Sequence, residues 1–367
     1  MGFACGIVGL PNVGKSTLFN ALSSAGAEAQ NFPFCTIEPN IAVASVPDAR
    51  LDAIADAYGP EVRIPATIRF VDIAGLVRGA SRGEGLGNQF LAQVREVDAL
   101  AQVVRCFTDE NVAHVDGRVD PVADLETIHT ELCLKDLETV GRRLERAQKQ
   151  SKGGDPFERM AIGVCERLSE HLDAARAASA FRPNGAKEAE LVASLRLLTS
   201  KPMFYVANVD EAALADLEQA PHLRALRSRV EPRGGVVVPI CAALEAQIGE
   251  LEPEERPEFW ESAGLSESGL HQVIRVGYGL LGLLTFFTKN ERECRAWTIP
   301  RGSTAFDAAG AIHTDFQRGF IKAEVTWWED FVAHGSDAKC REHGLVGIQG
   351  RDYVVRDGDL ILFRFNV

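Results

Sequence analysis

The 367-residue chain is 46% hydrophobic and 25% charged, proportions typical of a globular protein long enough for two or three hydrophobic cores. Its formal net charge of −13 disfavours binding of nucleic acid across the whole surface, so we expect no DNA partner, and an RNA partner would need a local basic patch. No apolar run approaches the roughly 20 residues that span a bilayer. No signal pattern opens the chain, and the eight cysteines include no C-x-x-C pair. We therefore expect a cytoplasmic protein with reduced thiols and no membrane partner.

The first predicted element is a phosphate-binding loop. Residues 9–16 read Gly-Leu-Pro-Asn-Val-Gly-Lys-Ser and fit the pattern G-x-x-x-x-G-K-[ST], between a short apolar strand and a helix. Such a loop directs backbone N–H groups and the positive end of a helix dipole at phosphate. Lys15 would neutralise the β- and γ-phosphates during catalysis, and Ser16 would bind Mg²⁺. Further nucleotide contacts are expected from their neighbours Asn12, Val13, Gly14 and Thr17.

Two later segments are predicted to complete the magnesium site. The segment 31–40 contains two prolines and no helical period, and its Thr36 would bring a hydroxyl to Mg²⁺ when the γ-phosphate is present. An apolar strand then ends at Asp72, which would hold the metal through water, while the N–H of Gly75 would meet the γ-phosphate. The four glycines within residues 79–87 predict a mobile switch.

The residue after Gly75 bears on the rate of hydrolysis. Many GTPases place a glutamine there to orient the attacking water, whereas this chain has Leu76, which cannot form a hydrogen bond with water. Either hydrolysis is slow or another group orients the water. Unassisted rates of about 10⁻⁴ to 10⁻² s⁻¹ would suit a timed switch.

A change of composition near residue 126 predicts an inserted helical hairpin. Apolar side chains recur at 4-3-4-3 spacing from Cys133 to Ala147, the turn 151–156 interrupts them, and a second apolar face follows from Met160. We expect a hairpin over residues 126–200, between the two parts of a nucleotide-binding domain at 1–125 and 201–282. One face of its first helix carries basic residues, for which the sequence favours a solvated surface over an RNA contact. These are Arg142, Arg146 and Lys149.

The next apolar strand ends at the segment expected to meet the base. GTPases carry N-K-x-D there, and the aspartate accepts two hydrogen bonds from guanine. This chain has Asn208, with Val209 in place of the lysine and Glu211 in place of the aspartate. One added methylene moves the carboxylate out of the geometry that selects guanine, so the sequence predicts loss of GTP preference and use of ATP. The turn 241–243 would lie beside the base.

The hydrophobic period becomes two after about residue 283. Strand-like segments at 284–287, 295–299, 321–325 and 360–365, with one helix near residues 308–312, predict a β-grasp module over residues 283–367. The fold class expected for the whole chain is therefore α/β. It combines a P-loop domain with a mostly parallel sheet, an antiparallel helical hairpin and a carboxyl-terminal β-grasp domain.

Taken together, these motifs resemble the YchF/Obg-like ATPase family over essentially the whole chain. The matching stretches are residues 9–16, 31–40, 72–88, 208–211, 296–300, 312–316 and 363–367. The resemblance implies a TRAFAC-class G domain, an inserted hairpin, a TGS domain, a preference for ATP, and association with the ribosome in translation or stress responses. It also implies that the backbone at Val209 contacts adenine.

The resemblance adds two candidate groups. The family points to a catalytic histidine after the second switch, which here would be His114, in the place of the missing glutamine; the residues alone favour a structural role for it. Asn12 is similar to the asparagine by which some related GTPases hold K⁺. Two alternatives stay open: a GTPase of the Obg group, and a nucleotide-gated module that binds RNA or the ribosome with negligible turnover.

Overall fold

The computed structural model describes residues 3–27, 40–73, 93–115, 117–252, 254–262, 264–265 and 267–366. The predictions for Thr36, Gly75 and Leu76, and the switch predicted at 79–87, lie outside these ranges. None of the helices in the described ranges combines the length and the apolar character needed to cross a bilayer.

The secondary structure alternates strands and helices in the first half and is richer in strands at the carboxyl end. The strands are β1 Ala4–Val8, β2 Ile41–Ser45, β3 Val62–Ile64, β4 Thr67–Asp72, β5 Ala99–Arg105, β6 Met203–Asn208, β7 Val237–Ile240, β8 Leu283–Lys289, β9 Glu293–Pro300, β10 Phe320–Trp327, β11 Val346–Gln349 and β12 Asp359–Phe365. The helices are α1 Lys15–Ala27, α2 Ala49–Tyr58, α3 Pro121–Gln150, α4 Pro156–Asp173, α5 Ala186–Ser194, α6 Glu211–Ala215, α7 Pro221–Val230, α8 Ala242–Gly249, α9 Arg256–Ser262, α10 Gly269–Leu280, α11 Ala305–Ile312, α12 Thr314–Arg318, α13 Trp328–His334 and α14 Asp337–Glu342.

The first sheet has the order β2-β4-β1-β5-β6-β7, and all neighbours are parallel except the antiparallel pair β2 and β4. Every residue of β1 and of β5 is buried, as expected for strands covered by helices on both faces of a parallel sheet. Because parallel strands end at the same edge, the loop after β1, the end of β4 and the end of β6 come together there. This sheet confirms the predicted α/β class.

The insertion is built on α3 and α4, which pack against each other as an antiparallel pair. Cys133 and Val140 of α3 and Cys165 and Leu168 of α4 belong to one buried cluster. Helix α3 begins at Pro121, ahead of the predicted residue 126, because Asp120 caps it and proline is favoured in a first helical turn.

A buried carboxylate fastens the returning chain to the hairpin. Asp136 of α3, which is 1% exposed, accepts hydrogen bonds from the N–H of Leu198, the N–H of Thr199 and the hydroxyl of Thr199 at 2.7–2.9 Å. Burial raises the pKa of Asp136, while these hydrogen bonds oppose the rise. The chain re-enters the first sheet through β6 directly after this contact.

The second sheet has the order β11-β10-β12-β8-β9-β3. Helix α11 covers one face of it, with Ala305, Ala308 and Ala309 in the buried cluster. The edge strand β3 comes from the first part of the chain and pairs in parallel with β9 through residues 62–64. The sequence did not predict this strand, since it has three residues and no buried side chain.

Candidate nucleotide-binding site

The phosphate-binding loop runs from the end of β1 to the start of α1. Asn12 has a φ of 62° and Gly14 a φ of 92°, so two positions of the loop lie in the left-handed region. A Cβ on Gly14 would collide with the side-chain amide of Asn208, so this glycine is required by the close approach as well as by its torsion. Helix α1 has no acidic residue in its first turn, which keeps the positive end of its dipole available to phosphate.

Asn208 ties three segments together at the end of β6. Its side chain is buried, its Nδ2 donates to the carbonyl of Val13 at 2.9 Å, and its Oδ1 accepts from the N–H of Ala242 at 3.0 Å. The phosphate loop, the segment 208–211 and the turn 241–243 therefore meet at one amide group. The sequence indicated the type of each segment but not this bridge between them.

The residues after Asn208 separate into a buried and an exposed part. Val209 is 2% exposed in an apolar cluster, and its N–H donates to the carbonyl of Ile240 at 2.9 Å. Asp210 caps α6 by accepting from the N–H of Ala213 at 2.9 Å. Glu211 is exposed in the first turn of α6. Of the two neighbouring carboxylates, the aspartate is thus committed to a helix cap, and the glutamate is the one presented to solvent.

The turn 241–243 lies close to these carboxylates. Burial raises the pKa of the Cys241 thiol, and the nearby charges of Glu211 and Asp210 add to the rise, against backbone hydrogen bonds that lower it. A raised pKa favours the protonated thiol, which is the less reactive form of a cysteine.

Lys15 at the start of α1 and Asp72 at the end of β4 lie against each other. The ammonium group of Lys15 forms an ion pair with Oδ1 of Asp72, and the two side chains are 11% and 18% exposed. Ser16 and Thr17 are exposed in the first turn of α1, next to this pair. The structure therefore brings together the predicted phosphate and metal residues that lie within its described ranges.

The donor chemistry of this corner fits Mg²⁺. The hydroxyl of Ser16 and the carboxylate of Asp72 are oxygen donors, which Mg²⁺ prefers, and the ion commonly takes its other ligands from phosphate and water. Within the described ranges, no three His, Cys, Asp or Glu side chains cluster as a protein-only metal centre would require. A magnesium ion here would accordingly depend on the nucleotide for part of its coordination.

The loop that carries His114 is built around Arg105, the last residue of β5. This arginine is 2% exposed, and its guanidinium donates to the carbonyls of Phe107, Asp109 and Val112 at 2.9–3.2 Å. The same group lies 4.5 Å from the centre of the Phe107 ring. Sequence reasoning missed Arg105, although a charged residue at the end of a mostly apolar strand was a usable signal.

Two contacts then place His114 between the phosphate loop and the hairpin. The side-chain Nδ2 of Asn12 donates to the carbonyl of Ala113 at 3.1 Å. The Nε2 of His114 lies 3.1 Å from Oδ2 of Asp124, with both side chains at most 5% exposed. Asp124 stands in the first turn of α3, so the imidazole is held at the base of the hairpin. A K⁺ ion there would bind the amide oxygen of Asn12, because the amide nitrogen is a donor and does not bind cations.

Known proteins are similar to the chain along its whole length. A family model described as a 50S ribosome-binding GTPase matches residues 4–136, and a model of the carboxyl-terminal region of YchF GTPases, described as a protein of unknown function, matches residues 283–366. The chain is 52% identical to the ribosome-binding ATPase YchF of Escherichia coli O157:H7 and 47% identical to that of Bacillus subtilis, over 100% of each chain. It matches the solved structure of the Schizosaccharomyces pombe YchF GTPase with a TM-score of 0.88 at 36% identity, covering 99% of this chain and 98% of the other.

Proposed function

This chain belongs to the YchF family of ribosome-binding ATPases, and from that premise we propose that it is a slow, magnesium-dependent ATPase that acts as a switch on the ribosome. The protein would then be located in the cytoplasm. The proposal of ATP as the nucleotide rests on the segment after β6. There Asn208 bridges the phosphate loop and the turn 241–243, and Glu211 replaces the aspartate that binds guanine in GTPases.

The phosphate end of the site divides the work among several groups. Backbone N–H groups of residues 12–17 and the ammonium of Lys15 would bind the β- and γ-phosphates. Ser16 and Asp72 would hold Mg²⁺, Asp72 through water, together with Thr36, and Gly75 would bind the γ-phosphate. When bound, Mg²⁺ neutralises charge on the transferred phosphoryl group. When nucleotide binds, the ammonium group of Lys15 would leave Asp72 and bind the phosphates. The carboxylate of Asp72 would then be available to the metal.

At the base end of the site, the backbone of Val209 would select adenine, and the side chain of Glu211 would disfavour guanine. Since the N–H of Val209 is used by Ile240, its carbonyl is the group that would accept a hydrogen bond from the adenine 6-amino group. Guanine carries a carbonyl oxygen at that position and cannot donate. The longer side chain of Glu211 would not align with the two guanine donors.

His114 would assist hydrolysis where Leu76 cannot. Support comes from the contact between its loop and Asn12 of the phosphate loop, and from Asp124, which holds the imidazole in one orientation. Asp124 would be a positioning residue, since it acts through the histidine. It also joins the candidate catalytic group to the first turn of α3.

A GTPase is the second candidate, favoured by the matching family model and by the fission yeast structure, both of which are named as GTPases. Calorimetric titration of the purified chain with ATP and with GTP, each with Mg²⁺, separates the two. We expect tighter binding of ATP. Tighter binding of GTP would overturn the proposal.

Glu211→Asp is the matched variant for this titration. Shortening the side chain by one methylene restores the carboxylate that hydrogen-bonds guanine, and hydrogen bonds to a charged group contribute about 1.5–3 kcal/mol. We therefore expect the ratio of GTP to ATP affinity to rise about tenfold or more. An unchanged ratio would show that Glu211 has no part in base selection.

A further inference from the structure

The hairpin tip, defined here as residues 142–159, differs in charge from the rest of the molecule. It contains the last turns of α3, the turn Ser151–Gly153 and the first turn of α4. At 1.5 Å per residue, the 30-residue helix α3 is about 45 Å long, so the tip stands far from the contact that Asp124 makes at the base. The tip has six basic and three acidic residues, in a chain whose net charge is −13.

Most of the acidic groups at the tip are already engaged. Glu158 is buried and accepts two hydrogen bonds from the guanidinium of Arg143, at 2.8 and 3.1 Å. Asp155 caps α4 by accepting from the N–H of Phe157 at 2.8 Å. With Glu158 neutralised by Arg143, the charges of Glu145 and Asp155 are outnumbered by the other five cations, and the surface of the tip is positive.

Four of the basic residues are exposed and have no acidic partner among the described residues. They are Arg146, Lys149, Lys152 and Arg159. Arg142, by contrast, is paired with Glu138 at 3.2 Å. The charges of these four residues contribute little to the stability of the hairpin, since even paired surface charges contribute only about 0–1 kcal/mol.

An aromatic ring lies among these cations. Phe157 is 45% exposed, although it sits in the first turn of a helix whose other apolar residues turn inward. The Asp155 cap and Pro156 hold its backbone rigidly, so the ring is presented in a fixed place. Cations that follow a phosphate backbone, together with an aromatic ring on which a base stacks, are the two features of single-stranded RNA binding.

We propose that the hairpin tip binds an unpaired segment of ribosomal RNA. Phosphates would lie against Arg146, Lys149, Lys152 and Arg159, and a base would stack on Phe157. This inference rests on the proposed function, because the ribosome supplies the RNA. The sequence alone favoured a solvated face for these cations. The structure changes that preference because it shows an exposed aromatic ring and, among the described residues, no acidic partners for the four cations.

The test uses the full chain with two probes, 50S subunits and protein-free large-subunit rRNA, over a series of salt concentrations. In the triple variant Arg146→Ala, Lys149→Ala and Lys152→Ala, we expect weaker binding to both probes and a salt slope reduced by about 2–3, from 0.7–0.9 per phosphate contact. In Phe157→Ala, we expect binding to fall about 5- to 150-fold with an unchanged salt slope. Thermal unfolding and ATP affinity report whether each variant is folded.

A matched control removes the same charge elsewhere. The triple variant Arg176→Ala, Arg224→Ala and Arg301→Ala replaces three exposed basic residues outside the tip and should keep the affinity of the unmodified chain. Equal losses in both triple variants, or no loss in the tip variant, would overturn the proposal. Loss of 50S binding with full retention of rRNA binding would assign the tip to an acidic ribosomal protein instead and would also overturn it. If the unmodified chain fails to bind 50S subunits, the proposed function fails, and rRNA binding alone then decides the role of the tip.

Discussion

At the scale of single residues, the nucleotide site depends on one close approach between distant parts of the chain. Gly14 and Asn208 are separated by more than half of the sequence, yet a Cβ on the glycine would overlap the asparagine amide. The same amide donates a hydrogen bond to the carbonyl of Val13 and accepts one from the N–H of Ala242. A side chain at position 14 would therefore disturb the phosphate loop and the base segment together.

We expect Gly14→Ala to abolish measurable ATP binding and to lower the thermal unfolding temperature. The variant adds a clash to the cost of a left-handed torsion, which alone is about 1–2 kcal/mol for a residue with a Cβ. The control is Gly59→Ala, where φ is 76° but no atom lies within 4 Å of the added Cβ. That variant should lose stability and keep ATP binding in a calorimetric titration; equal ATP affinity in both variants would refute the argument.

At the scale of elements, the second sheet is held by a charge cluster on β10. Glu324 accepts hydrogen bonds from Arg364 of β12 at 3.0 Å and from Arg341 of α14 at 2.9 Å. The hydrogen bond from Arg364 is the largest cause that holds the pKa of Glu324 at about 2, well below its ordinary value near 4.5, and Arg341 adds to it. The cluster joins two neighbouring strands and a helix across one face of the sheet.

This shift gives a pH dependence with a definite sign. A lowered pKa in the folded state stabilises the sheet above about pH 4.5, and the stabilisation is lost as the pH falls toward 2. We expect Glu324→Gln to unfold at a lower temperature than the unmodified chain at pH 7, and the difference to shrink on acidification through this window. Tryptophan fluorescence would follow unfolding, because Trp297 and Trp327 lie in this sheet. A difference that is constant with pH would contradict the assignment.

At the scale of the whole molecule, α3 connects the two regions for which functions are proposed above, one at each end of the helix. Its first turn carries Asp124 against His114, and its last turns form the positive hairpin tip. A rigid helix can pass a displacement at the tip to the histidine at its base. The ribosome would in this way influence hydrolysis without touching the nucleotide.

We expect 50S subunits to change the ATP turnover of the unmodified chain and to leave the turnover of Asp124→Asn and His114→Ala unaffected. Each substitution should lower kcat by about tenfold or more with little change in ATP affinity, because general acid–base groups contribute about 10²–10⁴-fold. The double variant should match His114→Ala if the aspartate acts only through the histidine. Binding to 50S subunits, measured in parallel, should persist because the tip is intact. A response of Asp124→Asn equal to that of the unmodified chain would exclude this link.

The sequence alone determined the features that are encoded by contiguous residues. The phosphate loop, the apolar seam of α3 and four strands of the second sheet (β8, β9, β10 and β12) each follow from a local pattern, since backbone torsions and side-chain periods act over a few residues. The sequence also predicted loss of GTP preference from Glu211, which stands in place of the aspartate that binds guanine in GTPases. That prediction depends on the chemistry of one position and needs no knowledge of the fold.

Only the tertiary structure decided which distant residues meet. The pairing of His114 with Asp124, the buried Arg105 beneath their loop, and the strand β3 that joins the second sheet all depend on contacts between separate segments. No local period reports such contacts, since they arise when two surfaces are buried together and their polar groups must find partners there. That four cations of the hairpin tip have no acidic partner among the described residues is likewise a property of the folded chain and not of a local pattern.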